Sequence, residues 1–520
     1  MNDFGKTLLI SPFLVGTAFA QSGTKPNIVF ILADDMGWGD LSCHGHPRFR
    51  TPNIDALATN GVDFHQFYVA NPISSPSRCG MLTGTFPIRY GIHMQLEMSL
   101  NYKNNQVDWL DPNAPTIAKS LQVGGYETAH FGKWHLVEEA SATGCAADAP
   151  RVEAYGFDVA EPMRGPWPGL GTTIPQTTIR TVYDRAVNYI NESHNKPFYM
   201  QVWTHEPHVP IGPTTAGLNA NLHITDERER KYAGVITDED NGVGRIIAAL
   251  KVQGLYENTI VVFASDNGPA VRSDVIGNQN YYNFGTTGGR RGTKGTLYEG
   301  GVRTPLIISW PAALPKGKVD KTTQIAGVDL FPTLCALTNT QLPDNFTPDG
   351  ENMKSACEGN IIQRTKPLFW YYSKKYAVIN GDNKLITDES YSATTMEMYD
   401  LKNDTAEAIN IRASKPEIVT SLKQLIIDYR TTLPTSLNQA CFSVYRPATA
   451  VNNPSNNIVQ VTTSKGKLEI TGFEIGKKLT IIDLSGREIQ IKDSVSNTTA
   501  FSLKSGFYII KELNRKIIIS

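Results

Sequence analysis

A chain of 520 residues, 40% hydrophobic and 19% charged, is long enough for more than one domain and has the make-up of a soluble globular protein with a large core. Its formal net charge of -1 excludes a globally basic surface, so no nucleic-acid or membrane-surface partner is expected and any polyanion must be recognised locally. After the N-terminal segment no apolar run approaches the ~18 residues of a membrane span, so no transmembrane helix is expected.

Residues 1–20 read as a secretory signal. Lys6 precedes an apolar stretch from Leu8 to Phe13 and on to Val15, and Ala18-Phe19-Ala20 matches a small-x-small cleavage pattern that leaves Gln21 first. Asp3 offsets Lys6 and Pro12 interrupts the run, so a buried core helix is the competing reading. Export to the periplasm, the cell surface or the medium is the expectation. The six cysteines (Cys43, Cys79, Cys145, Cys335, Cys357, Cys441) show no C-x-x-C pair and no finger-like spacing, so structural zinc is not expected. Export permits disulfides, but the spacing leaves pairing and free buried thiols equally open.

Asn27–Leu32 is a nearly continuous apolar run, as in a strand covered on both faces, and Asp34 and Asp35 follow it. In Ser74-Ser75-Pro76-Ser77-Arg78, Ser75 suits an N-cap and Pro76 the first helical position, with a short helix to Thr83. Ser74 then stands just before a helix N-terminus, where free N–H groups and the dipole favour an anion, and Arg78 adds a fixed cation. Thr116–Val123 is helical in pattern. In Phe131-Gly132-Lys133-Trp134-His135, Lys133 and His135 alternate along an extended segment and can share a face. Thr181–Glu192 reads as a helix and Phe198–Trp203 as a buried strand. Next comes Thr204-His205-Glu206-Pro207-His208-Val209-Pro210, whose prolines disfavour the helix that usually presents an H-x-x-H metal pair.

Ala233–Leu250 reads as a helix and Thr259–Ser265 as a buried strand ending at Asp266-Asn267. Strands alternating with helices predict an α/β layered fold with a largely parallel sheet, in which ligands bind beyond the strands' carboxyl ends. Asp34, Asp35, Asp266 and Asn267 stand at such ends. Either pair alone is also what an Asx-turn or helix cap presents. Two pairs at equivalent ends, all hard oxygen, favour calcium over magnesium and both over zinc. The run Arg291-Gly292-Thr293-Lys294-Gly295 through Glu299-Gly300-Gly301-Val302-Arg303-Thr304-Pro305 is glycine-rich and basic, without the nucleotide P-loop pattern.

The predicted units are a catalytic domain over 21–342, a smaller α+β subdomain over 343–446, a linker over 447–457 and a terminal β-sandwich over 458–520. In the second unit Phe369–Val378, Asn383–Ile386 and Glu397–Leu401 read as strands and Pro416–Thr431 as a helix. In the last, short apolar runs alternate with turn signals at Ser485-Gly486 and Ser505-Gly506.

The blocks from Ser74 to Arg78, Gly132 to His135, Pro207 to Pro210 and Lys294 to Pro305, in that order, resemble those of the formylglycine-dependent sulfatases over roughly residues 26–430. The resemblance implies an alkaline-phosphatase-like fold. It implies that a Ser-type maturase oxidises Ser74 to formylglycine and that Asp34, Asp35, Asp266 and Asn267 hold calcium. Arg78, Lys133, His135, His208 and Lys294 would line the sulfate pocket, with Glu299 and Arg303 in support and His205 in the sugar site. A hydroxyl of the hydrated aldehyde would attack sulfur, His208 or Lys294 would protonate the leaving oxygen, and His135 would take a proton from the second hydroxyl. The H-E-P-H-x-P and R-G-x-K…E-G-G blocks look most like the N-acetylgalactosamine-6-sulfatase and arylsulfatase group. That points to a sulfated saccharide substrate, galactose or N-acetylgalactosamine sulfate, with specificity set in loops such as 140–168 and 212–227. The terminal segment, including Gly506-Phe507-Tyr508-Ile509-Ile510, resembles sorting domains of the type IX secretion route, which would make secretion machinery a partner. The alternatives are a phosphatase or phosphodiesterase of the alkaline phosphatase superfamily, and a catalytically inactive glycan-binding protein.

Overall fold

Alternation along one strand sets the architecture. In β1 (Asn27–Ala33), Ile28, Phe30 and Leu32 enter one hydrophobic core while Val29, Ile31 and Ala33 enter another. A strand apolar on both faces has to be covered on both. The computed structural model describes residues 25–97, 101, 103–137, 148–163, 177–270, 273–276, 279–282 and 284–444, and then 460–464, 467–471, 478–483, 487–493, 498–511 and 515–519. The signal read over 1–20, the linker over 447–457, Cys145 and residues 140–147 and 164–168 of the first variable loop lie outside the described residues.

The main sheet has eight strands. After β1 come β2 (Val62–Phe64), β3 (Glu127–Lys133), β4 (Val159–Met163), β5 (Phe198–Trp203), β6 (Thr259–Ser265), β7 (Leu306–Ser309) and β8 (Lys318–Asp320), in the order β8-β2-β7-β6-β1-β5-β3-β4. Every neighbouring pair is parallel except the two made by β7. On one face pack α1 (Pro52–Thr59), α4 (Thr177–Asn191) and α5 (Glu227–Val252). On the other pack α2 (Ser74–Thr83), α3 (Ile117–Val123) and α6 (Leu330–Leu337). The mixed α/β fold with a largely parallel central sheet is thus as expected. The four central strands β6, β1, β5 and β3 all end on the same side, which gathers into one place the residues that follow them.

A second, antiparallel sheet comprises β9 (Leu368–Tyr372), β10 (Lys375–Asn380), β11 (Asn383–Asp388) and β12 (Glu397–Asp400). One face, with Trp370, Ala377 and Ile386, joins the main core. The other, with Val378, Leu385 and Met398, is covered by Leu422 and Ile426 of α7 (Pro416–Thr431). The single strand expected at Phe369–Val378 is instead a hairpin, β9 and β10. Ser373 and Lys374 turn it with φ of 48° and 61°, the positive values that a tight two-residue turn demands. Neither residue type signals such a turn, which is why the pattern reads as one run.

The last segments form two antiparallel sheets. One is β13 (Gln460–Ser464), β14 (Lys467–Thr471) and β17 (Thr498–Ser502). The other is β16 (Glu488–Asp493), β15 (Lys478–Asp483), β18 (Gly506–Ile510) and β19 (Arg515–Ile519). Leu468, Ile470 and Phe501 from the first meet Leu479, Ile481 and Ile510 from the second in a core of their own, as a small sandwich requires. Among the described residues no helix is long and apolar enough to cross a membrane, and the five described cysteines are free, with only Cys43 exposed.

Candidate active site

Asp34 and Asp35 leave β1 beside Asp266 and Asn267, which leave β6, because Ala33 and Ser265 are register partners. The two ends are tied together: the Asp266 N–H donates to the Ala33 carbonyl at 3.1 Å, and the Asp35 N–H to Asp266 Oδ1 at 3.2 Å. Asp35 takes φ = 67°, a left-handed conformation that costs a non-glycine residue energy and recurs at functional sites. On the other side of β1, the Asp34 N–H donates to the carbonyl of Glu206, three residues past the end of β5. At the end of β3, Gly132 has φ = 102°, and a Cβ there would lie 2.0 Å from the Trp203 carbonyl oxygen. Only glycine lets the Lys133 segment pass β5 so closely.

Helix α2 supplies the remaining pair. Its N-cap is Ile73, with extended φ and ψ of -143° and 160°, so Ser74 opens the helix rather than preceding it. Ser75 is not the cap: its Oγ accepts from the Leu96 N–H at 3.0 Å, an unrelated loop. Pro76 is then third in the helix, still within the first turn where a missing N–H loses no intrahelical bond. The Ser74 hydroxyl is 3.2 Å from Asp34 Oδ1 and 3.3 Å from Asn267 Oδ1. One turn on, Arg78 is wholly buried. It grips Asp266 Oδ2 through Nε (3.0 Å) and Nη2 (2.8 Å), donates to the Lys133 carbonyl, and lies 5.3 Å from the centroid of the Trp203 ring.

Lys133 Nζ reaches Asp34 Oδ2 at 2.5 Å, and Lys294 Nζ reaches Asp35 Oδ1 at 2.5 Å. The Lys294 loop is pinned by its own backbone, with Lys294 N–H to the Pro269 carbonyl and Gly295 N–H to the Pro72 carbonyl. His208 Nδ1 is 2.6 Å from the Val209 carbonyl, which leaves Nε2 facing Asp35 Oδ2 at 3.8 Å. His135 does not reach the site by strand alternation. The strand ends at Lys133 and His135 turns with φ = 54°, its Nδ1 buried with no hydrogen-bond partner. His205 is buried with its ring 4.9 Å from that of His208. All ten predicted site residues therefore converge.

The electrostatics are those of a compressed ion cluster. Burial alone would raise the Asp34 carboxyl, but Lys133, His208, Arg78 and Lys294 hold it well below the usual range. Burial and the neighbouring Asp34 charge push Asp266 up to about 6 despite Arg78. Burial opposes the charge on Lys294, but Asp35 and Asp34 outweigh it and raise its pKa. Burial, together with Lys133 for His135 and Lys294 for His208, drives both imidazoles well below their usual range. Three carboxylates face three fixed cations, and Asp35 Oδ2 is buried without a hydrogen-bond partner. This set suits a hard divalent cation: every donor on Asp34, Asp35, Asp266 and Asn267 is oxygen, and one carboxylate oxygen stands ready without a proton donor.

Behind the site Glu299 is a hub. It accepts from Tyr68 Oη (3.0 Å), Arg303 Nη1 (3.2 Å) and Lys384 Nζ (3.0 Å), and Lys384 also pairs with Glu407 at 2.9 Å. A Cβ on Gly300 would meet the Gly292 carbonyl oxygen at 2.1 Å, so glycine is what lets the two halves of the basic block lie against each other. Glu407 and Trp203 were not singled out from the sequence. Glu407 stands in a polar loop more than a hundred positions from Glu299, and only the buried position of Trp203 at a strand end hinted at a role.

The sulfatase family profile matches residues 26–340. The chain belongs to the sulfatase family. It is a sulfuric ester hydrolase, and the profile described as N-sulphoglucosamine sulphohydrolase, C-terminal, matches residues 292–432. This sulfatase is 31% identical to the N-acetylgalactosamine-6-sulfatase of Canis lupus familiaris, over 71% of the present chain and 72% of that one. It is 29% identical to the N-acetylgalactosamine-6-O-sulfatase of Bacteroides thetaiotaomicron, over 79% and 94%. Its fold matches that of Ps i-CgsB, solved in complex with k-i-k-neocarrahexaose, at a TM-score of 0.67 and 24% identity, over 80% of this chain and 95% of that one.

Proposed function

We propose that this sulfatase removes sulfate from galactose or N-acetylgalactosamine residues of sulfated glycans, using a formylglycine made from Ser74 and a calcium ion. The observation that carries the proposal is the position of the Ser74 hydroxyl. It lies against Asp34 and Asn267, at the opening of α2, inside a ring of three carboxylates and the cations Arg78, Lys133 and Lys294. The similarity to two N-acetylgalactosamine-6-sulfatases supports the choice of sugar.

Asp34, Asp35, Asp266 and Asn267 would hold calcium, which supplies Lewis-acid polarisation of sulfate oxygens when bound. The charge count favours it: the three carboxylates are already balanced by Arg78, Lys133 and Lys294, so a divalent ion leaves a positive surplus that an anionic sulfate ester offsets. Lys133 and Lys294 then bind sulfate oxygens and offset charge that grows in the transition state, the contribution that usually dominates such catalysis. Arg78 holds Asp266 and the start of α2 in place. An unmodified serine would be trapped as its sulfate ester, whereas a hydrated aldehyde at position 74 offers one hydroxyl to attack sulfur and a second to expel sulfate afterwards. His135, neutral in its buried setting, is the base for that second hydroxyl. Lys294, kept charged by Asp35 and Asp34, is the proton donor to the leaving oxygen, while His208, whose Nδ1–H is committed to the Val209 carbonyl, turns Nε2 toward that oxygen and donates there only once doubly protonated. Export through a signal over residues 1–20, sorting by the β module after residue 458 and maturation by a Ser-type enzyme complete the proposal.

The test is sulfate release from singly sulfated galactose, N-acetylgalactosamine, glucosamine and fucose saccharides, with phosphate esters alongside, after co-expression with a Ser-type maturase. Release from one galactose or N-acetylgalactosamine regioisomer is expected, with a peptide mass showing loss of two hydrogens at residue 74. Phosphate release without sulfate release would replace the proposal with a phosphatase. Silence on every ester, with Ser74 unmodified in the native host, would replace it with a glycan-binding role.

A further inference from the structure

We propose that Cys43, His44, Asp63 and His65 form a second metal site, suited to a borderline transition cation such as zinc. Cys43 Sγ, a His44 ring nitrogen and an Asp63 carboxylate oxygen lie within 4.8 Å of one another. A tetrahedral zinc, about 2.3 Å from sulfur and about 2.0–2.2 Å from nitrogen and oxygen, keeps its ligands roughly 3.3–3.7 Å apart, so side-chain adjustment alone closes the group on an ion. His65 is the fourth donor: its Nε2 is 3.3 Å from Asp63 Oδ2, and its ring centroid is 5.0 Å from that of His44. A thiol, two imidazoles and one carboxylate are a zinc-type set, unlike the all-oxygen set of the active site.

The chain prepares this arrangement locally. Asp63 is the middle residue of β2, held between Ile307 of β7 and Val319 of β8. His65 follows two positions on, so strand alternation puts both on one face. Cys43 and His44 lie on a single 3-10 turn, Ser42–His44, which Asp55 secures by accepting from the Cys43 N–H (3.0 Å) and the Ser42 hydroxyl (2.6 Å).

The His44 ring carries the decisive geometry. Its Nδ1 is 2.7 Å from the Trp38 carbonyl, which can only accept, so Nδ1 carries the hydrogen. Its Nε2 is then 3.0 and 3.1 Å from the two oxygens of Asp63. In the neutral ring a lone pair would face a carboxylate, so a cation belongs between them. A second ring proton also meets that need, with the adjacent Cys43 thiol turned to the Asp55 carboxylate; a metal ion draws on the ring and the thiol together. An Nδ1–H bond to a backbone carbonyl is also the outer contact that orients metal-binding histidines. The ring is buried while Cys43 is exposed, so an ion can enter past the thiol.

The site has a route to catalysis. The Trp38 ring stacks on His44 at 4.1 Å, and Arg290 Cζ lies 3.8 Å from the Trp38 centroid. Trp38 follows Asp34 and Asp35 by a few residues, and Arg290 directly precedes the run that carries Lys294. An ion on His44 would fix the indole between those two segments.

The test uses the full chain in excess calcium, with zinc alone as probe. Expected are one tightly bound zinc per chain, at least tenfold slower alkylation of Cys43 in zinc than after chelation, read by peptide mass, and a thiolate charge-transfer band when cobalt(II) replaces zinc. Cys43→Ser should abolish the band, and both Cys43→Ser and His65→Ala, at the two more accessible ligands, should weaken zinc binding at least tenfold. Alkylation unaffected by zinc, or zinc affinity unchanged in both variants, would overturn the proposal.

Discussion

Ser74 makes two long hydrogen bonds, at 3.2 and 3.3 Å, and its replacement by alanine keeps the Cβ in place. Ser74→Ala should therefore leave the melting temperature within a degree or two while reducing turnover by at least about 10⁴-fold, the loss typical of a missing nucleophile. Calorimetry and sulfate release check the two halves. Lys294 differs, because its ammonium sits on Asp35 and its loop is held independently through backbone bonds to Pro269 and Pro72. Lys294→Ala should lower kcat/KM by about 10²–10³-fold, the scale of one lost charge-stabilising donor, with the loop still in place. Both residues were legible in the sequence, since each lies in a compact block. The path of His135 was not: the alternation argument placed it on an extended segment, whereas the chain turns left-handed at φ = 54°.

At the scale of elements, the Glu299 hub ties the helix turn at Glu299–Val302 to β11 through Lys384, and to the loop carrying Glu407. Lys384→Met takes the one cation from the buried Glu407 and leaves Glu299 with Arg303 alone, so a loss of about 3–5 kcal/mol is expected in denaturant unfolding. A second polar contact joins α5 to α4 and to the end of β5: Glu239 Oε1 accepts from Tyr183 Oη at 2.9 Å and from Thr204 Oγ1 at 3.1 Å. Burial pushes this carboxyl up to about 8. A raised folded pKa means that the native state holds a proton which the unfolded chain has released, so this group's contribution falls as pH rises from its unfolded value near 4.5 through about 8. Glu239→Gln lacks that proton. Its melting temperature should gain on the wild type steadily over the same interval, and a constant difference from pH 5 to 9 would contradict the assignment. The strands β1, β5 and β6 and the helices α2, α3, α4, α5 and α7 were plain from the apolar pattern, whereas the short strands β2, β4, β7 and β8 carry too few residues to show a period. The Ile73 cap and the Ser373-Lys374 hairpin were not, because each depends on where a neighbouring loop draws a side chain or reverses the chain.

At the scale of the whole molecule, the described core residues of the terminal β module pack only with one another, while the two large cores are built from residues before 445. A chain ending at Val444 should keep its kcat and melting temperature within error, and a marked loss of either would show that the module supports the catalytic fold. Calcium removal acts on the other unit. Three buried carboxylates and one amide converge only in the folded state, so chelation should lower activity and melting temperature together, and calcium should restore both.

The sequence by itself determined what short-range order can encode: the α/β class, the strands β1, β5 and β6, the acidic pairs at their ends, and the blocks around Ser74, Lys133, His208 and Lys294. Each is a run of a few residues whose chemistry and period are local. Tertiary structure alone decided which distant groups share an environment. It put Asp34 beside Asp266 because β1 and β6 are neighbours in the sheet, and it assembled Glu299, Lys384 and Glu407. It also brought Cys43 and His44 to Asp63 and His65, where cysteine spacing had given no reason to expect zinc. Such meetings depend on sheet order and register, and these follow from the packing of the whole core.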